Sequence, residues 1–200
     1  MRRRIFRNLK PLTLASQSPR RKELLANLGL VFSVEPAKIN EPPPESETPK
    51  HYALKLARLK ANEVASQVKE GVVLAADTIV VYQDEILGKP QNEEDAFRML
   101  ELLSGNKHEV FTAYIIQEKS AILAENVVKT EVFFKKLTQE EIKAYLATDE
   151  PWDKAGAYAI QGLASYMVKC INGSVTNVIG LPLTEVIEDL LRLKVITYEK

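Results

Sequence analysis

Three cations stand where a helix favours anions. In the run Leu14-Ala15-Ser16-Gln17-Ser18-Pro19-Arg20-Arg21-Lys22-Glu23-Leu24-Leu25, Ser18-Pro19 reads as a helix N-cap followed by proline at the first helical position. Leu24, Leu25 and Leu28 then share one helical face, and Gly29 is placed to end the helix. The first turn of a helix carries unpaired N–H groups and the positive end of the macrodipole. Arg20, Arg21 and Lys22 there should each cost roughly a few tenths of a kcal/mol unless they share an anion. A guanidinium fork suits phosphate, and the helix N-terminus adds its own donors. A solvated basic turn is the plainer alternative; phosphate binding accounts better for the pattern.

Asp77 is the second chemical oddity. It interrupts Val72-Val-Leu-Ala-Ala-Asp-Thr-Ile-Val-Val-Tyr82, an apolar run that reads as a strand buried on both faces. A buried carboxylate must be paired, hydrogen-bonded or metal-bound. It therefore reads as catalytic or metal-binding, with a structural role at a bulge as the alternative. Thr78 supplies a hydroxyl on the opposite face of the strand. Lys60 falls inside the apolar stripe of a helix and is either snorkelling or functional. Gly88-Lys89-Pro90 presents Lys89, the glycine permitting close backbone approach. It lacks the upstream glycines of a phosphate-binding P-loop. The segment from Glu150 to Gly162 offers Asp153, Lys154 and Gln161 among small residues, and the Gln161 amide can read a base edge through its paired donor and acceptor. His51 and His108 lie apart and read as surface or structural residues. No zinc signature, serine elbow or Cys–His pattern is present.

The elements that must hold these residues follow from periodicity and capping. Leu12–Ala15 closes a short strand ahead of the first helix. Residues 36–49 hold five of the ten prolines and form an irregular connection. Thr48-Pro49 caps a helix to about Val68, with Ala53, Leu56, Ala57, Val64 and Val68 as its stripe. A polar turn at Gln83-Asp84-Glu85 follows the Asp77 strand. Asn92 caps a helix that buries Ala96, Met99, Leu100 and Leu103 and ends at Gly105. Strands are expected near 109–117 and 122–135. Thr138-Gln-Glu-Glu141 is a capping box opening a helix to about Ala147. An irregular stretch then leads to a strand near 164–171, a hairpin-type turn at Asn172-Gly173 and a last helix over Leu183–Leu193. Helices alternating with strands and hairpins predict an α/β fold with a mixed twisted sheet.

The chain has 200 residues, 46% of them hydrophobic, enough for a substantial core. Lys and Arg together number 27, as do Asp and Glu, so the formal net charge is zero. That balance argues against broad charge-driven nucleic-acid binding and leaves room for a local basic site. No apolar stretch approaches a membrane span. A single cysteine, Cys170, excludes an internal disulfide and fits a reducing, cytoplasmic setting; lying in an apolar run, it reads as a buried structural thiol. Arg2, Arg3, Arg4, Arg7 and Lys10 precede no apolar segment, so residues 1–11 read as a frayed basic tail rather than a signal peptide. Residues 12–200 read as a single domain.

Five segments occur together in one order: Leu14-Ala15-Ser16-Gln17-Ser18-Pro19-Arg20-Arg21, Ala76-Asp77-Thr78, Gly88-Lys89-Pro90, Asp153-Lys154-Ala155-Gly156 through Gln161-Gly162, and Gly180-Leu181-Pro182-Leu183. In this the chain resembles the Maf proteins, house-cleaning nucleoside triphosphate pyrophosphatases, over about Leu12 to Leu191. The resemblance implies two lobes of mixed α/β structure around a central cleft, often as a homodimer. It implies hydrolysis between the α- and β-phosphates with a divalent cation, Mg²⁺ or Mn²⁺. Asp77 occupies the proton acceptor's position, and Ser16, Arg20, Arg21, Glu41, Lys60 and Lys89 match polar positions lining the site. Arg20, Thr78 and Gln161 match positions tied to base preference; Ser18 and Lys154 complete the substrate-binding set. Asp77 and Glu41 would hold the metal. The Asp-Lys-Ala-Gly…Ile-Gln-Gly form resembles the branch preferring dTTP and UTP. The alternatives are the same reaction on 7-methyl-GTP or another base, or a non-catalytic nucleotide-binding regulator of cell division, since family members have been linked to septum formation.

Overall fold

Burial on both faces dictates the centre of the fold, because a strand covered on each side needs no polar alternation. The computed structural model describes residues 5–199. In chain order its elements are β1 (Phe6–Asn8), β2 (Leu12–Ala15), α1 (Pro19–Asn27), β3 (Ser33–Val34), α2 (Pro49–Ala65), β4 (Val72–Tyr82), β5 (Glu85–Leu87) and α3 (Glu93–Leu103). There follow β6 (Lys107–Glu118), β7 (Ala121–Phe134), α4 (Gln139–Leu146), β8 (Val168–Asn172), α5 (Val175–Ile179), α6 (Leu183–Arg192) and β9 (Ile196–Tyr198). Two compact units divide the chain. The first takes the chain up to Asp77, Thr112–Val127 and the chain from Gly180; the second takes Thr78–Phe111 and Val128–Ile179.

In the first unit β2 pairs in parallel with β3 and with the first half of β4, setting Leu12 opposite Val72 and Ala15 opposite Ala75. All four residues of β2 and the first six of β4, Asp77 included, are buried. α2 presents Tyr52, Ala53, Leu56, Ala57, Ala61 and Val64 as a buried face and ends at Ala65, one turn short of the expected Val68. Gly71 turns the chain into β4 at φ +85, where a Cβ would stand 2.3 Å from the Pro11 carbonyl oxygen. Phe6, expected in a frayed tail, is buried, and β1 pairs antiparallel with β9, Phe6 opposite Tyr198. Arg2, Arg3 and Arg4 lie outside the described residues.

In the second unit the rest of β4 forms a hairpin with β5 through Gln83 (φ 47) and Asp84 (φ 70), consecutive left-handed residues that match the strand twist. Asn92 caps α3, and the Thr138 capping box opens α4, both as expected. Leu87, Met99, Leu100, Leu103, Val110, Phe134, Ile142 and Tyr158 build a core in this unit. Parallel and antiparallel pairings together make the sheet mixed, as predicted. Three expectations fail here. Residues 163–167 form a 3-10 turn, and the strand begins only at Val168. Asn172-Gly173 leads into α5 instead of a hairpin, because the Ser174 hydroxyl caps the next turn by accepting from Asn177 N–H at 3.2 Å. Cys170 is exposed, since β8 lies at the sheet's edge among the described residues. No helix of the described residues is long and apolar enough to cross a membrane.

Candidate active site

The first turn of α1 is built as its sequence predicts. Ser18 caps it, accepting from Arg21 N–H at 3.5 Å; Pro19 follows, and no acidic residue stands in that turn. Ser16, at the exit of β2, is buried. Its Oγ accepts from Ser18 N–H at 3.2 Å and from Arg21 Nη1 at 3.2 Å. With both lone pairs engaged, the hydroxyl has its proton left to offer. Arg21 also donates through Nε to the Gly180 carbonyl at 2.6 Å, tying α1 to the Gly180-Leu181-Pro182 turn. Burial lowers the Arg21 pKa and the Asp77 charge opposes that shift. Arg20, on the same turn, is half-buried.

Asp77 is 6% exposed. Its Oδ1 accepts from Lys60 Nζ at 2.5 Å, and the same ammonium stands 2.7 Å from Glu41 Oε1. The lysine in the α2 stripe is therefore not snorkelling: it reaches inward and joins two carboxylates. Glu41 is brought there by the proline-rich strap, which Tyr52 of α2 anchors by donating its hydroxyl to the Pro42 carbonyl at 2.9 Å. Burial raises the Asp77 pKa from its ordinary 3.8, against the lowering pull of Lys60 and Arg21 and with support from Glu41. A carboxylate raised in this way is a stronger base than a solvated one.

Ser16, Ser18, Arg20, Arg21, Glu41, Lys60 and Asp77 all belong to the first unit. Thr78, Lys89, Lys154 and Gln161 belong to the second. There, Gly156 N–H donates to the Gly88 carbonyl at 3.0 Å, which sets the Gly88-Lys89-Pro90 loop beside the Asp153–Gly156 turn. Lys89 is exposed, as expected of a presented lysine. A Cβ at Gly88, however, would meet nothing within 4 Å, so packing does not require glycine there. Lys154 pairs with Asp153, Gln161 is exposed and Thr78 is half-buried. His51 is exposed and His108 buried, its Nε2 2.8 Å from the Tyr158 hydroxyl. Sequence reasoning missed the Gly180 carbonyl as the partner of Arg21, though the glycine itself stands in one of the five segments.

Fold and site together define an α/β protein with a buried, cation-paired carboxylate beside a basic helix N-terminus. The chain belongs to the Maf family, whose model, described as Maf-like protein, matches residues 11–193. It is 53% identical over 184 residues to the dTTP/UTP pyrophosphatase of Geobacter sulfurreducens, covering 91% of this chain and 96% of that one. To the dTTP/UTP pyrophosphatase of Geobacillus sp. (strain WCH70) it is 48% identical over 190 residues, 92% of this chain and 99% of the other. Among solved structures it is similar to a HAM1 protein from Coxiella burnetii at 16% identity, with 92% of this chain and 96% of that chain covered and a TM-score of 0.45.

Proposed function

We propose that the protein is a nucleoside triphosphate pyrophosphatase that hydrolyses dTTP and UTP to the monophosphate and pyrophosphate. Its relatives' activity supports the reaction, and one observation supports it in this chain: a buried carboxylate, Asp77, carried on the Lys60 ammonium in the same unit as the basic first turn of α1. A general base and a phosphate cradle are two of the parts that phosphoanhydride hydrolysis uses.

Asp77 orients a water and takes its proton as the water oxygen bonds to the α-phosphorus. The bond from that phosphorus to the bridging oxygen breaks, and pyrophosphate leaves with the electron pair. The Ser16 proton, Ser18 and the N–H groups of the α1 turn offer donors to phosphate oxygens. Arg20, Lys60, Lys89 and Lys154 supply the positive charge that a triphosphate of about four negative charges needs near neutrality. Thr78, Arg20 and Gln161 set base preference.

Glu41 and Asp77 suit a hard divalent cation, because both carboxylates reach one ammonium position, at 2.7 and 2.5 Å. No group of three or more His, Cys, Asp or Glu side chains that could hold a metal ion occurs among the described residues. Two carboxylates are what an ion such as Mg²⁺ or Mn²⁺ uses, its shell being completed with water and phosphate oxygens. Bound there, it would neutralise phosphate charge. A cytoplasmic, house-cleaning role fits a chain with one cysteine and a nucleotide substrate.

Chromatography of products from a triphosphate panel with Mg²⁺ or Mn²⁺ tests the proposal. Monophosphate and pyrophosphate from dTTP and UTP are expected. Diphosphate and phosphate would refute the bond assignment, and preferential turnover of 7-methyl-GTP would refute the base preference.

A further inference from the structure

Gly162 directly follows Gln161, and its backbone gives no reason for glycine, since its φ is −114. The reason is a neighbour: a Cβ there would lie 1.8 Å from Glu150 Oε2 and 2.6 Å from Oε1. Glu150 is held in turn from several sides. Its Oε2 accepts from Leu163 N–H at 2.7 Å, and its Oε1 accepts from Ala164 N–H at 3.1 Å and from the Tyr145 hydroxyl at 3.0 Å. Burial alone would raise this carboxyl's pKa, but those donors and the Lys154 charge outweigh it and the pKa is lowered. The ionised carboxylate is thus the form this turn is built around.

The other end of the same loop is fastened independently. Gly156, left-handed at φ +68, donates to the Gly88 carbonyl at 3.0 Å, and a Cβ on it would press within 3.0 Å of Val80. Midway, the Tyr158 ring meets Phe134 edge-on at 4.8 Å, and its hydroxyl stands 2.8 Å from His108 Nε2. The exposed Gln161 therefore sits one residue before the second of two fixed points. A side chain that reads hydrogen-bonding edges needs such a rigid mount, because a displacement of about 1 Å suffices to lose on the order of 10²-fold in rate.

We infer that Glu150 is a positioning residue for base preference: packed against Gly162 and bonded to the two amides beyond it, it sets where the Gln161 amide is presented. The inference rests on the proposed reading of Gln161 as the base-contacting residue.

The test compares kcat/KM for dTTP with that for dCTP in the wild type and in Gln161→Ala, Glu150→Ala, Gly162→Ala and the Glu150→Ala/Gly162→Ala pair. Glu150→Ala should lower the dTTP/dCTP ratio on the order of tenfold. Gly162→Ala should do the same by displacing the carboxylate, and the pair should be no worse than either single change, because the new methyl then has room. Glu150→Gln keeps the volume but one acceptor oxygen and should move the ratio the same way by a smaller factor; it carries the comparison if Glu150→Ala does not fold. An equal fall for both nucleotides, with the ratio preserved, would overturn the inference while leaving Gln161 in its role if Gln161→Ala lowers the ratio. A ratio untouched by Gln161→Ala would overturn the base-reading assignment itself.

Discussion

Acidification from pH 7 to pH 5 should destabilise the protein by about 2 kcal/mol through His108 alone. The ring is 1% exposed and meets Phe134 and Tyr158 edge-on at centroid distances of 5.0 and 5.4 Å. Its Nδ1 has no hydrogen-bond partner. Burial pushes the pKa from 6.5 down to about 3. A depressed imidazole pKa favours the neutral form, so the unfolded chain binds the extra proton between those two values. Stability from this group is complete above the unfolded pKa and is lost as pH falls below it. With about 1.36 kcal/mol per pK unit, the loss from pH 7 to 5 comes to about 2 kcal/mol. In a chain of this size that is roughly 4–8 °C of melting temperature. Thermal or urea unfolding by circular dichroism at pH 7, 6 and 5 measures it, with His108→Gln as the partner variant. Glutamine still faces the Tyr158 hydroxyl but does not titrate, and the carboxylates common to both proteins cancel in the difference. The stability gap between the two should therefore shift by about 2 kcal/mol in favour of the variant. Parallel pH curves would refute the assignment. The outcome bears on function, because Tyr158 belongs to the loop that carries Gln161.

Asp77→Asn should lower kcat by about 10³-fold. Its thermal stability at pH 7 should not fall: a carboxyl pKa raised above 3.8 by burial contributes stability only below that value and loses it as pH rises through the higher folded one, and Lys60 keeps Glu41 at 2.7 Å. Arg21→Lys keeps the charge but not the fork that joins Gly180 O to Ser16 Oγ, so steady-state kinetics with dTTP should show a loss on the order of 10²-fold in kcat/KM without unfolding. Gly156→Ala places a Cβ 3.0 Å from Val80 in a left-handed backbone at φ +68 and should cost roughly 1–3 kcal/mol in urea denaturation.

Much of the site was legible where the signal was local. Ser18-Pro19 announced the start of α1 because capping chemistry depends on neighbours in the chain, and Thr138 did the same for α4. Asp77 was legible because a charge inside an apolar strand has few explanations. What escaped depends on distant partners. β1 pairs with β9 from opposite ends of the chain, so nothing near Phe6 distinguishes a strand from a tail. Cys170 sits in an apolar run, yet an edge strand leaves it exposed. Periodicity alone does not decide the role of Lys60, because its partners Glu41 and Asp77 come from a strap and a strand distant in the chain. Glycine at 162 is explained only by a glutamate twelve residues earlier in the chain, which sequence periodicity does not register.

In the proposed reaction a water activated by Asp77 attacks the α-phosphorus of a pyrimidine nucleoside triphosphate. Mass spectrometry of the products of dTTP turned over in ¹⁸O-labelled water tests it most directly. One labelled oxygen is expected in the monophosphate and none in the pyrophosphate. Label in the pyrophosphate would place the attack on the β-phosphorus and contradict it.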